Sequence, residues 1–348
     1  MENWSSSREP VFLYNESEVT DMIYPEFIKK HEIIGIAAPS AGTGRYLEKY
    51  QASIDTLKAQ GYTILETESV RNDDDRSTSA ENRGEEFTSL FREDSVKMVM
   101  CAKGGDFLDE CLPYVNFKVM QKNPKWVMGA SDPTGILYPY TTKYDVATIY
   151  GCNASSYDAK PMLDFIKANL EILKGKHVIQ RSYPAHLSEP PYDIEQIKYD
   201  TPTQWLSSQD TIRISGRCIG GCIDVLKDLI GTEYDGTRKF LQKYKQDGII
   251  WYFDNFSLSA ETLYRTLLQF RYAGWFKSTK AVIIGRTVYE SSETGMTYTE
   301  AITMAMQEIP VLYQADIGHT YPHMTMINGA ILHLIYKDGQ SSLSFELK

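Results

Sequence analysis

Ile33-Ile34-Gly35-Ile36-Ala37-Ala38-Pro39 is a short, almost wholly apolar run that stops at Pro39-Ser40-Ala41-Gly42. Unbroken apolar character over so few residues marks a strand buried on both faces, ended by proline and small residues. Leu47, Tyr50, Ile54 and Leu57 follow at helical spacing, and Gly61 supplies a stop. The alternation continues outward: a strand over 62–65, a polar loop over 71–77, a helix over 81–91, then strands over 96–101, 126–129 and 147–150. Strands alternating with helices imply βαβ units and a mostly parallel sheet covered on both faces. We therefore expect residues 1–165 to form a doubly wound, flavodoxin-like α/β domain.

Beyond it, Pro184, Pro190, Pro191 and Pro202 interrupt the pattern, with one helix near 162–173. Residues 166–208 read as a connecting segment. From 209 to 348 the reading is a smaller, mixed α/β domain. It starts with a helical run to Ile230 that sets Cys218 and Cys222 four apart on one face. A strand over 248–253, a helix over 260–272, a strand over 281–284 and a C-terminal strand pair over 330–336 and 342–347 complete it.

Hydrophobic residues make up 42% and charged residues 24% of the 348, a balance that belongs to a globular chain and not a disordered one. The formal charge of −10 argues against nucleic acid, whose phosphates call for Lys and Arg. Residues 1–8 have no basic segment followed by an apolar one, so no signal peptide is expected. Apolar runs such as 249–253 are far short of the roughly 20 residues that span a bilayer, so no membrane partner is expected either. Five cysteines is an odd count without a disulfide framework, and a reducing cytoplasm fits.

Sheets of this kind bind ligands beyond the carboxyl ends of their strands, so the loops there hold the candidates. Gly129-Ala130-Ser131-Asp132-Pro133 places a serine on a sharp strand-to-helix turn, as a nucleophile elbow does, although only the first Gly of G-x-S-x-G matches. The competing reading is that Ser131 or Asp132 only caps the next helix, with Pro133 in its first turn. Lys103-Gly104-Gly105-Asp106 lets backbone N–H groups approach a ligand, or is merely a tight turn. Asp316-Ile317-Gly318-His319 and His323 contribute two of six histidines. His319 is a candidate general base, since imidazole titrates near neutrality. A metal site from Asp316, His319 and His323 stands well behind, because no HExxH appears and Pro322 spoils a helical pair. Asp254, directly after a strand, is a candidate to orient the histidine, or else a turn aspartate. Gly42-Thr43-Gly44 is too short for a phosphate loop or dinucleotide fingerprint, and no cofactor is expected.

In order, Ile36-Ala37-Ala38-Pro39-Ser40, Asn82-Arg83, Lys103-Gly104-Gly105, Gly129-Ala130-Ser131-Asp132 and Tyr150-Gly151 resemble segments of the serine peptidase family of LD-carboxypeptidases and microcin C self-immunity peptidases. Gly216 to Gly221 with Leu229-Ile230-Gly231-Thr232, Tyr264-Arg265 to Gly274, and Gly318-His319 extend the resemblance to nearly the whole chain. It implies Ser131 as nucleophile, His319 as base, and the N–H groups of Gly105 and Asp132 as oxyanion hole. The acid, usually Glu, falls on Asp254, one methylene shorter, with Glu261 as the other carboxylate to consider. Lys103 and Asp106 depart from the usual Arg and aromatic neighbours.

The expected activity is hydrolysis of an amide next to a free carboxylate, on a murein tetrapeptide, in a cleft between the domains. A second reading is detoxification of a peptidyl- or aminoacyl-nucleotide, with Trp205 and Tyr183 stacking on the purine. A third is a carboxylate- or peptide-binding protein without catalysis. Lys103, Gly104 and Trp205 are the expected substrate-binding residues, and a homodimer is what the resemblance implies.

Overall fold

The computed structural model describes residues 21–189, 197–287 and 289–348. The readings made on the first eight residues and on Pro190 and Pro191 lie outside the described residues. The first sheet contains β1 (Ile33–Ala37), β2 (Thr63–Glu66), β3 (Val96–Cys101), β4 (Trp126–Gly129) and β5 (Thr148–Tyr150). Its connections hold α1 (Leu47–Ala59), α2 (Ala80–Arg92), α3 (Phe117–Lys122) and α4 (Thr134–Tyr144). The strands run parallel in the order β2-β1-β3-β4-β5. That is the flavodoxin-like order expected from the alternating pattern.

After α5 (Asp164–Leu173) come four two-residue strands: β6 (Gln180–Arg181), β7 (Ala185–His186), β8 (Thr201–Pro202) and β9 (Leu206–Ser207). The rest of the chain supplies β10 (Thr211–Cys222), α6 (Ile223–Leu229), α7 (Thr237–Lys243), β11 (Ile249–Asp254), α8 (Ala260–Ala273), β12 (Thr279–Gly285), α9 (Tyr298–Met306) and β13 (Val311–Ala315). It ends with β14 (Met326–Asn328), β15 (Ile331–Lys337) and β16 (Gln340–Glu346). The second sheet has the order β6-β16-β15-β10-β11-β12-β13-β9. Its centre, β10 to β13, is parallel, and its flanks are antiparallel.

Three differences from the sequence reading have physical causes. Cys218 and Cys222 lie on the long strand β10, not on a helix. Gly216, Gly220 and Gly221 hid that strand, yet a Cβ on Gly220 would collide with the Tyr252 carbonyl of neighbouring β11, so close backbone approach requires the glycine. The segment 166–208 is more than a connection, because β6 and β9 pair with the two edges of the second sheet. The sequence reading holds no helix at α9, although Thr297 and Glu300 form a reciprocal capping box at its start.

The two sheets are joined by one continuous apolar core. β14 leaves the second half and pairs antiparallel with β5. Asn328 on β14 accepts from Tyr252 Oη (2.9 Å) and the Gly220 N–H (3.0 Å), and donates to Thr148 Oγ1 (3.2 Å). α4 is locked to the second sheet by the Thr134 hydroxyl, which accepts the Cys222 N–H at 3.0 Å, and by Tyr138 stacked on Trp275. These bonds fix the strand ends of one sheet against those of the other.

Candidate active site

Ser131 follows β4 by two residues and has φ +70°. A non-glycine residue is held there only when its surroundings over-determine it. Here the surroundings are explicit. Gly129 leaves room for Pro133, whose Cβ would lie 2.7 Å from a Gly129 side chain. The Ser131 carbonyl accepts the Thr134 N–H at 2.9 Å, which starts α4. The Ser131 N–H donates to Tyr150 Oη, also at 2.9 Å. The side chain is thereby lifted off the end of the sheet.

Across the boundary, Asp254 is the last residue of β11 and is buried. His319 sits four residues beyond β13. His319 Nε2 lies 3.1 Å from Ser131 Oγ. Its Nδ1 lies 3.0 Å from Asp254 Oδ1 and 2.9 Å from Oδ2, and its backbone N–H also donates to Oδ1. Next to a carboxylate Nδ1 carries the proton, which leaves Nε2 as an acceptor for the serine hydroxyl. Burial pushes the His319 imidazole down, but the Asp254 charge and hydrogen bond outweigh it, and the net shift is upward. Gly318, at φ +93°, allows this approach: a Cβ there would collide with the Asp254 carboxyl group and lie 2.7 Å from Asp254 Cβ. The Phe256 ring covers one face of His319, with centroids 4.3 Å apart.

The other expected residues divide. Gly104 packs on the nucleophile loop, where an added Cβ would be 3.1 Å from Ser131 Cβ. Gly105 has no space for a side chain, which would strike Ser40 Oγ. The Asp132 carboxylate accepts the Ser40 hydroxyl and the Leu108 N–H (3.0 Å), so it ties the loops after β1 and β3 to the Ser131 turn. Burial raises Asp132 to about 6, partly opposed by those bonds. Lys103 is half-buried with its ammonium 5.2 Å from the Tyr46 ring centroid. Burial first, then nearby Arg45, push that ammonium below the usual lysine value. Among the described residues no carboxylate forms an ion pair with it.

Trp205 does not reach the site. It is fully buried, and its indole N–H donates to Asp316 Oδ2 at 2.9 Å. Asp316 also holds the Arg286 guanidinium (3.1 Å) and the Tyr183 N–H (3.1 Å), so it braces the His319 loop from behind. The large apolar indole ended in the core, with a buried carboxylate as its polar partner. His323 is buried against Phe165 and Tyr321. Glu261 is turned away from His319: its Oε1 accepts from Ser292, the Glu293 N–H and Thr294. Sequence reasoning gave no role to Tyr150, Ser40 or Phe256. Ser40 and Tyr150 lay in segments that carry the family resemblance, and Phe256 was signalled only by its position just after the strand β11.

A hydrogen-bonded serine, histidine and aspartate at the carboxyl ends of parallel strands from two sheets is the arrangement of a serine hydrolase. The LD-carboxypeptidase N-terminal domain of peptidase family S66 matches residues 34–151, and the C-terminal domain of the same family matches residues 215–334. The chain belongs to this family and is a serine peptidase.

A putative carboxypeptidase of Vibrio cholerae is 25% identical over 313 residues, covering 86% of this chain and 91% of its own length. The microcin C7 self-immunity protein MccF of Escherichia coli is 22% identical over 321 residues, covering 88% and 91%. MccF solved in complex with aspartyl sulfamoyl adenosine superposes with a TM-score of 0.78 at 21% identity, covering 93% of this chain and 98% of that one. Muramoyltetrapeptide carboxypeptidase of Oxalobacter formigenes gives a TM-score of 0.71 at 20% identity, covering 90% and 98%. No helix among the described residues is long and apolar enough to cross a membrane.

Proposed function

We propose that this chain is a serine carboxypeptidase that cleaves the amide next to a terminal free carboxylate, on a murein tetrapeptide. The reading rests on one observation: the hydrogen-bonded line Ser131–His319–Asp254, with Gly104 packed on the Ser131 turn. Lys103, one residue before Gly104, is the half-buried cation assigned to the substrate carboxylate. His319 Nε2 takes the Ser131 proton as Oγ attacks the carbonyl carbon. The oxyanion is received by the N–H groups of Gly105 and Asp132. His319 then protonates the leaving amine, a terminal D-alanine, and water attacks the acyl-enzyme by the same route in reverse. Asp254 holds the imidazole tautomer and balances the imidazolium charge.

Release of D-alanine from a murein tetrapeptide, compared between the native chain and Ser131→Ala, tests this. The expected result is turnover by the native chain and loss of at least about 10³-fold in a folded Ser131→Ala. Native-like turnover by the variant overturns the mechanism, and no turnover by either overturns the substrate.

The second reading is hydrolysis of an aminoacyl-nucleotide conjugate. It is favoured by the likeness to MccF and by the Phe256–Tyr289 edge-to-face pair beside His319, an aromatic lip on which a base can stack. Cleavage of an aminoacyl sulfamoyl adenosine in preference to the tetrapeptide selects it. Both readings carry a cytoplasmic homodimer, and light scattering that returns the mass of a single chain overturns the dimer.

A further inference from the structure

Tyr150 ends β5 and is buried between the two sheets, its ring 5.7 Å from that of Tyr252. Its hydroxyl has two partners that belong to different parts of the site. It accepts the Ser131 backbone N–H at 2.9 Å and donates to Asp254 Oδ2. Asp254 Oδ1 meanwhile receives His319 through both Nδ1 and the backbone N–H. One phenol oxygen therefore spans the nucleophile turn and the acid.

Two consequences follow from this geometry. The Ser131 N–H, bonded to Tyr150, is not free to serve an oxyanion. The left-handed conformation at Ser131 also acquires an anchor from the far side of the crevice. The groups facing Asp254 are Tyr150 from β5, Cys222 from the end of β10, Tyr252 from β11 itself and His319 from the loop after β13. Asp224 of α6 and His323 lie just beyond. Burial, followed by the Asp254 charge, pushes the Tyr150 phenol well above its ordinary value, so it keeps its proton and remains a donor. Burial does the same to the Cys222 thiol.

We propose that Tyr150 is a positioning residue that couples the Ser131 turn to the Asp254–His319 pair and governs how much of the carboxylate charge His319 feels. The inference rests on the triad of the proposed function but not on the identity of the substrate. Without the phenol, Asp254 Oδ2 keeps only its contact with His319 Nδ1 in a buried site, and more of the carboxylate charge acts on the imidazole.

The test follows the imidazole proton signals of His319 by NMR across pH, in the native chain and in Tyr150→Phe, with no substrate present. The expected result is an upward shift of the His319 midpoint by about one pH unit. Incorporation of 3-fluorotyrosine at position 150, which keeps the shape and strengthens the donated bond, is expected to move the midpoint down. An unchanged midpoint in folded Tyr150→Phe overturns the inference, because a tyrosine that only fills the core would alter stability alone. If Tyr150→Phe does not fold, an unmoved midpoint in the fluorinated protein overturns it. Asp254→Asn is the control. A His319 midpoint that does not fall in Asp254→Asn refutes the triad itself, whereas a fall there without any response at Tyr150 refutes only the coupling.

Discussion

Replacing Gly318 with alanine adds a single methyl group, yet it is expected to cost this enzyme most of its activity. Gly318 adopts φ +93°, a conformation that costs an L-residue about 1–2 kcal/mol. The larger effect is steric. The new Cβ would lie 2.7 Å from Asp254 Cβ and collide with the carboxyl group, whereas Cβ atoms essentially never approach other atoms within 3.0 Å. The atoms it strikes belong to the carboxylate that orients His319, and they have little room to give, since Oδ2 is held by Tyr150 and Oδ1 by the His319 backbone. Relief requires the acid and base to separate by roughly 1 Å, a misplacement worth about 10²-fold in rate.

The assay is kcat on the substrate identified for the native chain, with the melting temperature measured alongside. The expected outcome for Gly318→Ala is a loss of about 10²-fold in kcat and a smaller change in KM, because the added methyl displaces the Asp254–His319 pair that acts in the chemical step. A folded Gly318→Ala within about threefold of native kcat refutes the reasoning.

Asp254→Asn is expected to lower kcat by about 10³–10⁴-fold, since an amide facing Nδ1 stabilises the wrong tautomer; a drop below tenfold would assign the orienting role elsewhere. The base must be neutral to work, and the His319 pKa is raised by Asp254 against the opposing effect of burial, so kcat/KM of the native chain rises with pH through a midpoint above 6.5. A midpoint clearly below that value contradicts the pairing. Burial pushes His323 down to about 4. A histidine with a depressed folded pKa leaves the unfolded chain binding more protons below about 6.5, so its contribution to stability falls as pH falls. Denaturant unfolding of the native chain should therefore lose about 2 kcal/mol between pH 7 and pH 5 relative to a folded His323→Phe variant. Equal losses in both proteins would show that His323 is not the group responsible.

Apolar runs of four to six residues separated by amphipathic stretches dictate a doubly wound sheet by themselves. A strand buried on both faces admits no polar side chains, and its helical crossovers must show a 3.6-residue period. The Ile33 to Pro39 run, the small residues around Ser131 and the glycine before His319 were therefore legible without coordinates. So were the residue types, because proton abstraction from a hydroxyl near neutral pH calls for imidazole.

Which histidine and which carboxylate meet the serine was decided by tertiary structure. Ser131, Asp254 and His319 are brought together only because the carboxyl ends of β4, β11 and β13 converge where the two sheets face each other. The sequence put Asp254 first, directly after a strand, with Glu261 as the other carboxylate to consider, and the fold separates them: Asp254 closes β11, whereas Glu261 lies in the first turn of α8 and accepts from the Ser292–Thr294 loop. Trp205 shows the converse. A tryptophan that stacks on a substrate and one that fills a core look alike in sequence, and here a buried Asp316 supplied the polar partner the indole needed, so the core claimed it. Local pattern records which residues avoid water. It does not record which distant side chain will satisfy a buried donor, because that depends on contacts 60 to 190 residues apart, such as His319 with Asp254 and with Ser131.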